Sequence, residues 1–135
     1  MIAVQNTINA PIEKVWELWT LPEHIMNWNT PSPDWHTPYA ENDLKVGGKF
    51  KFTMTMKDGG GFDFEGVYTK IENFSLIEYR LYNKRTASVR FEIDGDKVKI
   101  TETFEAEKEN SESMQEQFCK SVIANFKEYV ENFKK

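Results

Sequence analysis

Five segments between residues 49 and 104 alternate apolar and polar side chains, and this alternation constrains the fold more than any other feature of the sequence. The clearest segment is KFKFTMTM, which places on one side Phe50, Phe52, Met54 and Met56. A period of two is typical of β-strands that have one covered face and one face in water. The connections between the segments are short and include the tight-turn pair Asp94-Gly95, so the pattern predicts consecutive antiparallel hairpins.

Helical spacing precedes and follows this meander. An alternating opening strand is predicted from Ile2 to Ile8, followed by a helix that begins at Pro11 and a shorter one that begins at Leu21-Pro22. Proline suits the first position of a helix because its missing N–H is not needed there. From Ser113 to Lys135 the spacing predicts one long amphipathic helix, about 30 Å in length. Its apolar stripe comprises Met114, Phe118, Val122, Phe126, Tyr129, Val130 and Phe133.

This order of elements predicts a single α+β domain over residues 1–135, in which a curved antiparallel sheet wraps around the long C-terminal helix. A chain of 135 residues is long enough to enclose one core. Many aromatic and methionine side chains point from the sheet toward one helix, and a curved sheet cannot close completely on a cylinder. We therefore expect a pocket between the sheet and the helix.

The segment from Asn29 to Phe50 differs from its surroundings, since it has no regular periodicity and holds three of the five prolines. We interpret it as an irregular crossover that leads from the helix pair to the sheet and is stiffened by its prolines. Trp35 and His36 are adjacent within it. Together with Trp28 they are expected to form the rim or plug of the pocket.

Composition excludes several classes of protein. The net charge is -5, and the seventeen basic residues alternate with acids instead of forming a patch, which argues against a nucleic-acid-binding protein. No apolar run approaches the roughly 20 residues of a membrane span. The first residues lack the pattern of a signal peptide, so a cytoplasmic location is expected. The single Cys119 excludes an internal disulfide and fits a reducing compartment.

Two places carry residues suited to acid–base chemistry. Asp34 and His36 are two positions apart, so they share a side of an extended segment, and a carboxylate can orient an imidazole as a general base. The other interpretation is that His36 only bridges the crossover. Glu102 falls on the covered parity of its strand, and it either occupies a functional site or lies near the sheet edge. Glu102 is the best single candidate for orienting a polar group of a ligand.

The remaining reactive side chains predict no metal site. His24, His36 and Cys119 match no zinc-binding spacing, and nothing in the sequence implies a cofactor or assigns a catalytic residue. Cys119 lies beside the apolar stripe and is interpreted as an inert buried thiol. The glycine-rich run KDGGGF lies between two strands, so it predicts a hairpin and not a phosphate-binding loop.

The sequence resembles the START-like helix-grip superfamily, also called SRPBCC or Bet-v-like, and in particular its bacterial branch related to the activator of the heat-shock-protein-ninety ATPase. The segments that carry the resemblance are APIEKVWELWT, SPDWHTPYAENDLKVGGKF, GFDFEGVYTKI and TETFEAE. The resemblance implies a hydrophobic cavity between sheet and helix, which across the superfamily binds lipids, sterols, polyketides or plant hormones. Where many members have a Gly-Trp pair at the start of the last helix, this chain has Phe118-Cys119.

Three functions are consistent with these observations. The favoured one is a carrier or sensor without catalytic activity, whose partner is a small hydrophobic molecule. The residues expected to line its cavity are Trp28, Trp35, His36, Phe52, Met54, Phe64, Tyr68, Tyr79, Phe91, Glu102, Phe118 and Val122. The alternatives are an enzyme of the cyclase or hydrolase type in the same cavity, and an interaction module for a chaperone or another protein partner.

Overall fold

Seven strands form one antiparallel sheet in residues 1–133, the part of the chain that the computed structural model describes. The strands are β1 Ile2–Ile8, β2 Trp35–Asn42, β3 Lys49–Met56, β4 Gly61–Glu72, β5 Leu76–Leu81, β6 Thr86–Asp94 and β7 Lys97–Phe104. Their order is β1-β7-β6-β5-β4-β3-β2, so neighbours from β2 to β7 are also consecutive in the chain. The predicted meander of hairpins is confirmed, and β1 closes the other edge by pairing with β7.

Three helices complete the α+β fold: α1 Ile12–Thr20, α2 Pro22–Trp28 and α3 Glu112–Asn132. The sheet is a curved half-barrel, and α3 packs against it, as the order of elements predicts. The hydroxyl of Ser111 caps α3 by accepting a hydrogen bond from the backbone N–H of Met114. The helix was expected to continue to Lys135, and its last two residues, Lys134 and Lys135, lie outside the described residues.

The segment 29–50 is not irregular throughout, so this prediction is wrong in part. Residues 35–42 form the edge strand β2, which pairs with β3. The register shifts between His36 and Tyr39, at the position of Pro38. Proline has no N–H to donate to a ladder and is tolerated at bulges of edge strands. The prolines and the bulge therefore hide the period of two that identifies a strand in the sequence.

The strand β4 bends where the sequence changes parity. Its register against β5 shifts between Tyr68 and Lys70, which marks a bulge. Gly66 lies just before it and faces Phe50 across the β3–β4 ladder. A Cβ atom on Gly66 would meet the Phe50 ring at 3.0 Å and the backbone oxygen of Arg80 at 2.5 Å. Glycine is thus needed for the Phe50 ring to lie directly on β4.

The C-terminal half of α3 forms the centre of the core. Phe126 is fully buried, and its ring centroid lies 4.9 Å from that of Trp19 and 4.7 Å from that of Trp28. Asn125 Nδ2 donates to the carbonyl oxygen of Trp28 at 2.9 Å, which ties α3 to the end of α2. Cys119 and other residues of α3 pack against β1 in a second cluster, made of Ile2, Val4, Cys119 and Ile123.

Only part of the predicted apolar stripe of α3 is buried. The buried residues of the helix are Cys119, Ile123, Phe126 and Val130. By contrast, Phe118 and Val122 are half-buried, and Met114 is 65% exposed. The helix turns its Cys119 side to β1, which leaves its Phe118 side only partly covered.

Replacing Phe126 by alanine is expected to destabilise the protein by about 3–5 kcal/mol, because the substitution leaves a cavity beside the rings of Trp19 and Trp28. Met114→Ala on the same helix is the matched control, and its exposed side chain predicts a change within about 0.5 kcal/mol. Urea denaturation followed by circular dichroism measures both. Equal stability of the two variants would contradict the central position of Phe126.

Candidate functional site

A pocket of about 590 Å³ lies between the sheet and the N-terminal half of α3. Its walls come from β2 to β7, from the region of α1 and α2, and from the first three turns of α3, between Met114 and Val122. Of the residues that the sequence singled out, those in the lining are Trp28, Trp35, Phe52, Met54, Phe64, Tyr68, Tyr79, Glu102, Phe118 and Val122. The structure therefore brings together residues that are up to 94 positions apart in the chain, from Trp28 to Val122.

Two of the singled-out residues lie elsewhere. His36 is exposed and does not line the pocket, because the alternation along β2 turns Trp35 and Thr37 inward and His36 outward. Phe91 is buried outside the lining, with its ring 5.2 Å from that of Trp16 beneath α1. The Asp34/His36 couple considered for acid–base chemistry is thus on the outer side of the edge strand.

Three aromatic rings meet at one end of the pocket. Trp35 of β2 lies 5.8 Å from Phe62 of β4 and 5.7 Å from Phe118 of α3, measured between ring centroids. Phe62 is 45% exposed, and Met114 nearby on α3 is exposed as well, although both line the pocket. Residues that contact the pocket and solvent together mark its opening, so this aromatic cluster lies at the mouth.

The connection between β7 and α3 borders the same space and is held by one glutamine. The Gln115 side chain accepts a hydrogen bond from the backbone N–H of Glu107 at 2.7 Å and donates to the Glu107 carbonyl oxygen at 3.0 Å. Glu107 and Gln115 both line the pocket, as does Arg85. Arg85 donates to the Glu105 carbonyl oxygen at 3.2 Å and lies 3.8 Å from the Glu107 carboxylate. Arg85 Nε, by contrast, is a buried donor without a hydrogen-bond partner in the described part of the chain.

A second polar group lies near α1 and α2. The hydroxyl of Tyr68 donates to Asn42 Oδ1, and Asn42 Nδ2 donates to the Thr20 carbonyl oxygen at 2.7 Å. Burial raises the pKa of Tyr68 far above the neutral range, so this hydroxyl stays protonated. Asn29 also lines the pocket, and its Nδ2 is a buried donor without a partner in the described part of the chain. That atom is covered by its neighbours, so a molecule in the pocket would not reach it without side-chain movement.

Glu102 and Cys119 form the polar contact between the sheet and α3. The alternation along β7 puts Glu102 on the covered face, opposite Val4 of β1 and Val89 of β6. The Cys119 thiol donates a hydrogen bond to Glu102 Oε2, with 2.7 Å between sulfur and oxygen. Sequence reasoning placed Glu102 on this face but missed its partner. A buried carboxyl requires a donor, and the thiol beside the apolar stripe was the available signal.

Burial determines the ionisation of this pair. Desolvation raises the pKa of Glu102, and the hydrogen bond from Cys119 lowers it by a smaller amount. Desolvation also raises the pKa of Cys119, and the neighbouring negative charge of Glu102 raises it further. Tyr79, fully buried nearby, has its pKa raised by the same two effects. Cys119 is therefore a thiol at neutral pH, and a thiol is a poor nucleophile compared with a thiolate.

In residues 1–133, no three histidine, cysteine or acidic side chains lie close enough together to hold a metal ion. None of the helices in the same residues is both long and apolar enough to cross a membrane.

The raised pKa of Glu102 predicts that ionisation of this carboxyl destabilises the fold. The penalty is absent below the ordinary pKa of 4.5, where the folded and unfolded chains are both protonated, and complete above the folded pKa. Glu102→Gln removes the charge and keeps an oxygen to accept the thiol proton. We expect the variant to gain in Tm relative to the wild type as the pH rises from 4 to 8.

Calorimetry at pH 4 and pH 8 measures this difference. Glu92→Gln, at an exposed position on β6, is the matched control for loss of one carboxylate. A Tm difference between wild type and Glu102→Gln that is the same at both pH values would show that Glu102 titrates as it does in the unfolded chain.

The similarity of this chain to known proteins covers almost its whole length. The family model described as Activator of Hsp90 ATPase homolog 1-like protein matches residues 9–135. The solution structure of the AHSA1-like protein from Aeromonas hydrophila is 35% identical, with a TM-score of 0.87 over 96% of this chain and 92% of that chain. The solution structure of a protein from Cytophaga hutchinsonii is 44% identical, with a TM-score of 0.84 over 97% of this chain and 92% of that chain.

A crystal structure of a protein from Nitrosomonas europaea shares the fold alone, at 18% identity and a TM-score of 0.81 over 98% of this chain and 95% of that chain. No curated protein matches the sequence. The family match extends from the end of β1 through α3 and so includes both walls of the pocket. The chain belongs to the Activator of Hsp90 ATPase homolog 1-like family, a family of the SRPBCC or Bet v1-like superfamily.

Proposed function

We infer that the protein binds a small, largely apolar molecule in the pocket between the sheet and α3, and that it acts as a carrier or sensor of that molecule. The observation that carries this proposal is the pocket itself, whose volume is about 590 Å³. Sites for small molecules typically measure roughly 300–1,000 Å³ and are lined mostly by hydrophobic and aromatic side chains with a few polar groups. Without a bound molecule, the aromatic side chains that line such a pocket would be in contact with water.

The walls suit a molecule with rings or a branched apolar body. Trp28 of α2, Phe52 of β3 and Val122 of α3 all line the space. Met54 adds a flexible, polarizable side chain that adapts to ligands of different shape. The aromatic cluster of Trp35, Phe62 and Phe118 would control entry at the mouth. His36 and Phe91 have no part in this proposal.

An enzyme of the cyclase or hydrolase type finds less support. The Asp34/His36 couple faces away from the pocket, and no hydrogen bond joins these two side chains in the described residues. Cys119 is held as a thiol by burial and by Glu102. An interaction module for a chaperone would be expected to expose a continuous apolar patch. The exposed large apolar side chains include Tyr82, Ile93 and Val46, which lie in separate parts of the sequence.

Native mass spectrometry of the protein purified from its own host tests the proposal directly. We expect a population whose mass exceeds that of the chain by the mass of one small organic molecule, released by organic solvent. A wholly ligand-free population would count against a tightly held cargo, and binding of added probes then decides whether the pocket binds ligands at all.

Filling the pocket is expected to abolish binding. Val122→Trp adds an indole inside the pocket, and we expect it to weaken binding of the neutral fluorescent probe N-phenyl-1-naphthylamine by at least about tenfold, since a tenfold loss corresponds to only 1.4 kcal/mol. Val46→Trp is the matched control, because Val46 is 63% exposed and outside the lining. Fluorescence titration measures both. Unchanged affinity in a folded Val122→Trp protein would place the probe outside this pocket.

A further inference from the structure

We propose that Glu102 is the polar recognition point of the pocket, and that the natural ligand is an apolar molecule that presents an O–H or N–H group to Oε1 of this carboxylate. This inference rests on the proposed function, because it assigns the chemistry of a molecule held in the same pocket. It adds a hydrogen-bond donor to the description of a ligand that is otherwise defined only by size and apolar character.

The hydrogen bonds of Glu102 leave one oxygen available. Oε2 accepts the Cys119 thiol proton, whereas no donor from the described residues is bonded to Oε1. Glu102 keeps partial exposure and lines the pocket, so its remaining accessible surface faces the space that a ligand would occupy. A carboxylate can accept several hydrogen bonds, and buried polar groups in proteins are nearly always bonded. A hydrogen-bond donor on the ligand would supply the partner that Oε1 lacks.

The surroundings of Glu102 offer no other compensation. Its neighbours in the ladders of β1 and β6 are Val4 and Val89, which are apolar. From β5 it faces Tyr79, and from α3 it faces Cys119, neither of which carries a positive charge. The cation of the lining, Arg85, already donates to the Glu105 carbonyl and lies beside Glu107. A carboxylate between apolar neighbours gains more from a donor than the same group does in water.

Cys119 acts here as a positioning residue. Its thiol holds Oε2 against α3, and this contact turns Oε1 toward the pocket. Cys119→Ser keeps a donor at this place and is expected to retain the preference for ligand donors. Cys119→Ala removes the donor and leaves the carboxyl group free to rotate, so the preference for donor probes over the methyl ether is expected to fall.

Four probes with one common body test the proposal: naphthalene, 2-methoxynaphthalene, 2-naphthol and 2-naphthylmethylamine. They carry, respectively, no polar group, an acceptor only, an O–H donor and an N–H donor with a positive charge. Protein-observed NMR titration at pH 8 gives each Kd. We expect the wild type to bind at least one of the two donor probes about tenfold or more tightly than the methyl ether, because hydrogen bonds to charged groups are stronger than neutral ones. The naphthol and amine arms distinguish hydroxyl from amino ligands.

Two substitutions at Glu102 show whether the preference comes from this side chain. Glu102→Leu is expected to retain naphthalene binding and to reduce the advantage of the donor probes over the ether to within about twofold, since the recognition hydrogen bond is lost. Glu102→Gln can accept the Cys119 proton with its oxygen and present its NH₂ group to the pocket, so we expect the preference to shift toward the ether.

The outcomes separate this inference from the proposed function. If naphthalene shifts the resonances of pocket residues but neither donor probe gains over the ether, recognition by Glu102 is overturned and the apolar site stands. A donor preference that persists unchanged in Glu102→Leu would also overturn it. If none of the four probes shifts those resonances, the proposed function fails together with the inference.

Discussion

The packing of Phe126 against Trp19 and Trp28 fixes the position of α3 and, through it, the shape of the whole molecule. This contact joins the long helix to both short helices, and the two short helices follow directly from β1. Around it, Lys127 Nζ donates to the Thr7 carbonyl oxygen at 2.6 Å, and the Asn9 N–H donates to the Glu131 carboxylate at 2.9 Å. The C-terminal half of α3 is therefore anchored by aromatic packing and by polar contacts together.

The pocket is a consequence of this one-sided anchoring. A straight helix fixed at one end and turned with Cys119 toward β1 cannot also fill the concave centre of the sheet. The rings of Phe52, Phe64 and Tyr79 then line a space instead of packing onto α3. Stability comes mainly from the anchored end, where Phe126 and Val130 are fully buried. The opposite end can hold a ligand without the core depending on it.

The sequence predicted the elements with regular periods and missed those that deviate. Strands β3 to β7 and all three helices were apparent from alternation, helical spacing and proline positions. The edge strand β2 was missed because Pro38 and the bulge interrupt its period. Parity placed Glu102 on the covered face of β7. His36 was expected in the lining because of its place in the crossover beside Trp35, but adjacent residues of a strand face opposite sides, so both cannot line the pocket once residues 35–42 form β2.

The Glu102–Cys119 contact could not be derived from sequence, because it joins residues 17 positions apart through the tertiary arrangement of β7 and α3. A glutamate at position 102 is unfavourable for stability, since a leucine there would pack beside Val4 and Val89 without any desolvation of charge. A carboxyl group whose pKa is raised by burial, and whose charge raises the pKa of the adjacent thiol further, serves the fold poorly at neutral pH. Its place in the pocket wall, with one oxygen that accepts no hydrogen bond from the described residues, is more readily explained by the proposed recognition of a ligand than by folding.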